Sequence, residues 1–312
     1  MINFRYHVVS LTAVFLALAI GLVVGTAALN GPVADSLSDN VNALRKDNRQ
    51  LRETVSSLQE EANREEEFAT EAAPIMLAGK LTARRIAVVT TPSGDDHVDG
   101  VVEMLELAGA TVTGRVDIED KFVNPDNSVE LLDLADQASQ PSIPRTDLPN
   151  NVDGVESASA LLATALLDRP SPQTPVSSTD LQALLTAYTS AGYISVKDKV
   201  TGPAEAVVVV SGQPHTDRDS AAKDEAVVTM VAQFDKAGPV IVAGSWGGNG
   251  NLVGAVRGDP TLSKSISTVD NGNTAQGRLV TALAVVEQLV DGKAGQYGLN
   301  AGASSLLPKQ KE

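Results

Sequence analysis

The feature that most constrains this chain is a run without charged side chains near its start, residues 8–29, VVSLTAVFLALAIGLVVGTAAL. About 20 apolar residues in a helix cross a hydrocarbon core, whereas the apolar part of a secretory signal usually has about 7–15 residues. The run therefore predicts a transmembrane helix that is retained. Small residues at Thr26, Ala27 and Ala28 also suit a cleavage site, so an uncleaved signal anchor and a cleaved signal both stay open.

The residues that flank this run predict its orientation. Arg5 precedes it, and the first basic residue after it is Arg45. Because the positive flank of a membrane helix stays in the cytoplasm, residues 1–7 are expected to be cytoplasmic. The bulk of the chain is then extracytoplasmic and the membrane is the plasma membrane.

Small side chains recur every four residues inside the run, from Ala13 onward. Gly21 and Gly25 form a G-x-x-x-G pattern, which lets two transmembrane helices approach closely. Ala17, Gly21 and Gly25 are therefore predicted dimerisation positions within the membrane.

Residues 33–76 carry a heptad pattern, with leucine at every d position from Leu37 to Leu58 and with Val41, Asn48, Val55 and Ala62 at the a positions. This pattern favours a parallel two-stranded coiled coil, and the single Asn at an a position would fix register and oligomer state. The predicted dimerisation positions are Leu37, Val41, Leu44, Asn48, Leu51, Val55 and Leu58. An amphipathic helix packed on its own domain is the alternative interpretation.

The heptad pattern decays after Ala62. Glu65 occupies a d position, and Glu61 and Glu66 take g and e positions that repel each other across a coil. Pro74 is expected to kink or end the helix close to that point.

The composition excludes several classes of function. The chain has no Cys and a net charge of −15. Without Cys there is no disulfide framework, thiolate catalysis or thiolate metal site. The acidity argues against a nucleic-acid partner, because a phosphate-binding surface needs clustered Lys and Arg.

Residues 80–298 alternate between strand-like and helical patterns. Valine-rich runs predict strands buried on both faces of a sheet, at 86–90, 111–116, 205–211, 239–243 and 265–269. Helical patterns lie at 98–108, 129–138, 155–167, 179–191, 221–236 and 274–290. The predicted fold class is α/β, a mostly parallel Rossmann-like domain with a helical middle insertion, followed by a flexible tail at 299–312.

Two loops of this domain are candidate binding sites. The glycine-rich segment 244–254 follows a strand, but its spacing misses the dinucleotide pattern G-x-G-x-x-G and a surface turn is the simpler interpretation. After the first strand come four candidate metal ligands, Asp95, Asp96, His97 and Asp99. They equally suit an acidic helix start, where Asp faces the positive end of the helix dipole.

The inventory of catalytic groups is small. His215 follows another strand and is a candidate to converge with His97. The sequence contains no nucleophile elbow, zinc-protease helix or H-x-E motif, and only 3 His residues. We therefore expect no catalytic residues, no cofactor and no enzymatic activity.

Several segments together resemble one family. They are residues 9–19 of the apolar run, the coil, residues 88–92 with the acidic loop, 267–270, Gly277-Arg278 and 295–298. The chain is identified as a member of the actinobacterial copper transport protein B (MctB) family, also known as the cell-separation factor SteB.

The resemblance implies two different functions. One is a channel in the mycobacterial outer membrane, the mycolate layer, that lowers intracellular copper. The other is a single-pass plasma-membrane protein whose coil helps activate septal peptidoglycan hydrolysis with a SteA-like membrane partner and the cell-wall hydrolase machinery. Copper would be a ligand only in the first of these.

The residues favour the second function. Copper sites normally use Cys, Met and His, and the 4 Met residues of this chain are scattered. A membrane barrel needs alternating strands and aromatic girdles, whereas aromatic residues make up only 3% of the chain. The sequence thus predicts a dimeric scaffold whose first partner is a second copy of itself, with copper transport as the alternative.

Overall fold

The structure is a computed structural model. It describes residues 4–143, 149, 153–169, 173, 175–245 and 250–309, and gives only the backbone of residues 28–34. The chain divides into two compact units, Met1–Arg64 and Glu65–Glu312.

The first unit is helical. Helix α1 covers Phe4–Leu77 and ends in the second unit. Within it, Phe4–Ala27 is long and apolar enough to span a membrane, which agrees with the predicted run and begins a turn earlier. The residues that follow are rich in Leu, Glu, Arg and Gln, all good helix formers.

Helix α1 ends shortly after Pro74. The N–H of Ala78 donates to the carbonyl of Pro74, and Gly79 has a φ of 71°. Because a residue after a helix commonly adopts this left-handed conformation, which glycine tolerates best, Gly79 stops the helix.

The second unit is built on a seven-stranded mixed sheet in the order β3-β2-β1-β4-β5-β6-β7. All strand pairs are parallel except β2 with β3. The strands are β1 Arg85–Thr90, β2 Thr111–Ile118, β3 Ile194–Val196, β4 Ala206–Val210, β5 Val240–Ala243, β6 Ser267–Val269 and β7 Gln296–Tyr297. The predicted α/β class is confirmed, and the short strands β3 and β7 were not predicted.

Helices cover both faces of the sheet. They are α2 Asp95–Leu107, α3 Asp120–Val123, α4 Ser128–Ala138, α5 Gly154–Leu166, α6 Ser178–Ser190, α7 Ser220–Ala237, α8 Leu252–Gly258, α9 Leu262–Ser265 and α10 Ala275–Val286. The six predicted helices of this unit are present, and the short helices α3, α8 and α9 were missed.

The hydrophobic core has two layers, one on each face of the sheet. Along β4, Val207 and Val209 belong to the layer with α4–α7, while Val208 and Val210 belong to the layer with α2, α10 and the end of α1. Burial on both faces explains the uninterrupted apolar sequence of this strand. The predicted helical middle lies between β2 and β3 and shares the first layer with α7.

Two predicted boundaries are corrected. The predicted strand 265–269 is shorter than expected and begins at Ser267. Ser265 ends α9, where its hydroxyl donates to Asp235 at 2.7 Å. The last helix is α-helical only to Val286 and continues as a π-helical turn, after which Gly292 at φ 65° ends it.

Candidate functional site

The predicted dimerisation positions of the apolar helix, Ala17, Gly21 and Gly25, which we call the membrane stripe, lie on an open surface of the first unit. A Cβ atom added at Gly21 or Gly25 would meet nothing within 4 Å. The chain's own packing therefore does not require glycine at either position. Dimerisation through Ala17, Gly21 and Gly25 stays a prediction.

The predicted coil positions are also exposed. Leu51 is 64% exposed and Leu44 is 68% exposed, and the other leucines of the series, Leu37 and Leu58, are similar. The heptad pattern thus presents a row of leucines on the surface of the first unit. A row of this kind is what a partner helix would cover.

The four candidate metal ligands lie at the start of α2. Two of them, Asp95 and Asp99, form ion pairs with an arginine of the same chain. Arg115 of β2 pairs with Asp95, with Asp99 at 2.7 Å and with Asp117 at 2.7 Å. Among the residues that the structure describes, no group of three His, Asp or Glu side chains is arranged to hold a metal ion. A metal at Asp95, Asp96, His97 and Asp99 stays a prediction.

The loops after β1 and β4 lie against each other at the carboxyl edge of the sheet. The N–H of Gly212 donates to the hydroxyl of Ser93 at 3.1 Å, and a Cβ at Gly212 would lie 1.8 Å from the Ser93 carbonyl oxygen. The cavity left here is about 20 Å³, near the size of one water molecule. This close approach is why glycine stands at position 212.

The glycine-rich segment 244–254 is only partly described, because residues 246–249 lie outside the described part of the chain.

His215 lies beside two carboxylates at the same edge. Its Nδ1 is 2.8 Å from Asp224, and its Nε2 is 3.8 Å from Asp120. Asp120 also accepts from the buried ammonium of Lys223, which binds Asp217 at 2.6 Å. Hydrogen bonds to Asp217 and Asp120 raise the pKa of Lys223. No sequence pattern indicates this network, because its members come from α3, α7 and a loop.

The most distinctive arrangement is where α1 joins the globular unit. We call it the neck: residues 65–77 of α1, helix α10 and residues 298–307. Ala73 and Leu77 of α1 are buried in the core layer that contains α10, and Ala69 is also buried. The Glu66 carboxylate accepts from the N–H of Ala275, the first residue of α10, at 2.6 Å. This contact caps the helix and places a negative charge at the positive end of its dipole.

A buried ion pair holds the last segment of the chain at the neck. Asp270, at the end of β6, pairs with Arg257 at 2.8 Å and accepts from the N–H groups of Leu299 and Asn300. Burial alone would raise the pKa of Asp270, but these hydrogen bonds outweigh it and lower the pKa below its ordinary value. The segment 299–312, predicted as a flexible tail, therefore begins with anchored residues.

The neck contains an apolar groove of about 190 Å³. Side chains from α1, α10 and the last segment line it, among them Phe68, Met76, Leu279, Leu283, Leu306 and Leu307. Phe68 is 72% exposed and Leu306 is 61% exposed. No local sequence pattern indicates this groove, since its lining comes from segments far apart in the chain.

The fold and these features define an α/β protein that carries an N-terminal apolar helix long enough to span a membrane. The family model described as "Copper transport outer membrane protein, MctB" matches residues 1–308. The chain belongs to the MctB family, as the sequence predicted.

Relatives from mycobacteria match over the full length. The copper transporter MctB of Mycobacterium tuberculosis (strain ATCC 25618 / H37Rv) is 28% identical over 99% of this chain and 100% of its own length. The copper transporter MctB of Mycobacterium leprae (strain TN) is 29% identical, with the same coverage.

Proposed function

We propose that this chain is a non-enzymatic, single-pass envelope protein that dimerises through a parallel coiled coil and docks partners in cell separation. The observation that carries the proposal is the combination in the first unit of a membrane-length apolar helix with a row of exposed leucines at d positions. Together they describe an anchor followed by a pairing surface.

The exposed leucines favour a dimer. Burying one leucine side chain contributes about 1.5–3 kcal/mol, and the d positions Leu37, Leu44, Leu51 and Leu58 are all exposed in the single chain. A second copy in the same register would cover all four. Asn48 at an a position then selects two strands over other oligomers.

In the fold class that we propose for the domain, a ligand site would lie at the carboxyl edge of the sheet. The strand order β3-β2-β1-β4-β5-β6 corresponds to that of Rossmann-like domains, in which ligands bind at the switch point between the first and fourth strands. We assign the domain to that class, with an antiparallel β3 and an added β7. At this switch point, the contact between Ser93 and Gly212 occupies the crevice.

The proposed placement is the plasma membrane, with the acidic domain outside it. In this arrangement the coil is the surface that a partner binds. The partners that we propose are a SteA-like membrane protein and the cell-wall hydrolase machinery.

The second candidate function is copper transport, and the names of the family and of the mycobacterial relatives favour it. A channel would need several copies, since one helix cannot line a pore. The proposed placement would then be the outer membrane.

Deletion of the gene followed by two assays separates the candidates. Chained, unseparated cells with normal copper tolerance are expected under the scaffold proposal. Normal separation with accumulation of copper would contradict it and favour transport. Complementation with a variant carrying Leu44→Asp and Leu51→Asp is the matched test, because it removes the coil and leaves the anchor and the globular unit in place.

A further inference from the structure

We propose that the groove at the neck receives the Phe68 side chain of a second copy, so that two protomers exchange these rings where the coil ends. The inference rests on the proposed coiled-coil dimer and extends it to a new interface in the globular unit.

The helix cannot pair with a second copy along its whole length. In the heptad register set by Leu58 and Ala62, Ala69 occupies an a position and Ala73 an e position. Both are buried, Ala73 in the core layer of the second unit and Ala69 in the lining of the apolar groove. The face that a second helix would need is therefore already occupied there, and the coil has to end before Ala69.

Phe68 is left uncovered at this point. It occupies a g position, which flanks the coil interface in the register of the preceding heptads. It is 72% exposed although it is an aromatic residue next to an apolar groove. A side chain of this kind stabilises an assembly when it enters a pocket of the partner.

The groove suits one aromatic ring. Its volume is about 190 Å³, and an apolar cavity of about 150 Å³ accepts a benzene molecule. Residues from α1, α10 and the last segment make its lining almost entirely apolar.

A second copy is the occupant that can bind so small a site. A stable interface between free proteins buries at least about 1,200 Å², which one ring in one groove does not reach. A partner that is already tethered needs far less, because its effective concentration lies in the millimolar range. Ala62 and Phe68 lie within two helical turns of each other along α1, so a paired coil brings the second Phe68 close. Two-fold symmetry then fills both grooves at once.

The absence of Cys in this chain allows a clean crosslinking test. Two full-length chains with different tags are co-expressed in membranes, one carrying Phe68→Cys and the other Leu306→Cys, and oxidised. Each chain has one thiol. A disulfide that joins the two differently tagged chains therefore reports only contact between copies. We expect the disulfide yield between positions 68 and 306 to be about tenfold higher than in a control pair that carries Phe68→Cys and Val129→Cys. The reason is that docking raises the effective concentration of one thiol near the other. Val129 is exposed on α4, outside the groove.

Two controls make the result decisive. Ile75 also occupies a g position and is 86% exposed, but it does not line the groove. If Ile75→Cys pairs with Leu306→Cys as well as Phe68→Cys does, the copies are only near each other and the inference is wrong. The homodimer of Leu58→Cys reports the coil itself.

The outcomes separate the inference from the proposal beneath it. Disulfides at Leu58 together with background yield between positions 68 and 306 would overturn the groove exchange and leave the coiled-coil dimer intact. Background yield at both would overturn the dimer and the exchange together. A disulfide from Phe68→Cys to another envelope protein, in place of the second copy, would also overturn it.

Discussion

The carboxylate of Glu66 accepts a hydrogen bond from the backbone N–H of Ala275 at 2.6 Å, so the last turns of α1 cap the first turn of α10. In the proposed parallel coil Glu66 would repel Glu61 of the second copy, so that its charge would be unfavourable there. At the neck the Glu66 carboxylate accepts from an N–H group that has no acceptor within its own helix. A negative charge is favourable at this end of a helix. The residue that would weaken the proposed coil therefore holds the end of α1 against α10 within the second unit.

Removing this carboxylate should loosen the neck. Glu66→Ala leaves the N–H of Ala275 without its acceptor. We expect the free energy of unfolding to fall by about 1–3 kcal/mol, the usual cost of removing a hydrogen bond to a charged group. Hydrogen exchange of the first turn of α10 in the full-length protein is the measurement. Glu67→Ala is the control, since Glu67 is exposed on the next position. Equal exchange in both variants would contradict the capping function.

The Asp270–Arg257 pair should be essential for the fold of the last segment. Asp270→Asn removes the buried carboxylate that pairs with the Arg257 guanidinium, and breaking such a pair costs about 3–5 kcal/mol. We expect a lower urea midpoint for the detergent-solubilised protein and early protease cleavage near Leu299. Asp198→Asn, at an exposed position, is the control and should leave both unchanged.

The same pair predicts a loss of stability in acid. The pKa of Asp270 is lowered in the folded protein, so its stabilisation is fully present above the unfolded-state value of about 3.9 and is lost as the pH falls through the lower folded value. Unfolding measured from pH 6 downward should show stability declining below about pH 4. Asp270→Asn should flatten this decline. An identical pH profile in the variant would exclude Asp270 as its source.

The membrane stripe can be tested without the coil. Gly21→Ile and Gly25→Ile place branched side chains where close helix approach needs small ones, while a Cβ at either position has free space within the chain. We expect weaker dimerisation in membranes and unchanged folding of each protomer. If both variants dimerise as the parent does, the coil pairs the chains without help from the anchor.

How much the sequence predicts depends on how local each feature is. The apolar run, the valine strands such as β4 and the helices α2, α5 and α7 follow from periodicity over neighbouring residues, and the structure has them. Strands β3 and β7 are too short to show a periodic pattern of apolar residues. They form only because they pair with β2 and β6, which are distant from them in the sequence. The predicted convergence of His97 and His215 depended on loop geometry, and the structure places His215 with Asp224 and Asp120.

The neck could not be predicted for the same reason. Glu66 and Ala275, or Asp270 and Leu299, are distant in the chain, and a heptad pattern treats Ala69 and Met76 as coil positions. Only the fold reveals that the globular unit covers that face. The decay of the heptad pattern after Ala62 is the available signal, and the neck begins three residues later, at residue 65.

The measurement that tests the central proposal most directly is oxidative crosslinking of single-Cys full-length chains in native membranes. Leu51→Cys lies at a d position and Glu53→Cys at an outer f position of the same turn. A parallel coiled coil predicts rapid disulfide formation between copies at position 51 and almost none at position 53, because only d side chains meet across the interface. Equal rates at the two positions, or no disulfide at either, would contradict the dimeric coil on which the proposed function depends.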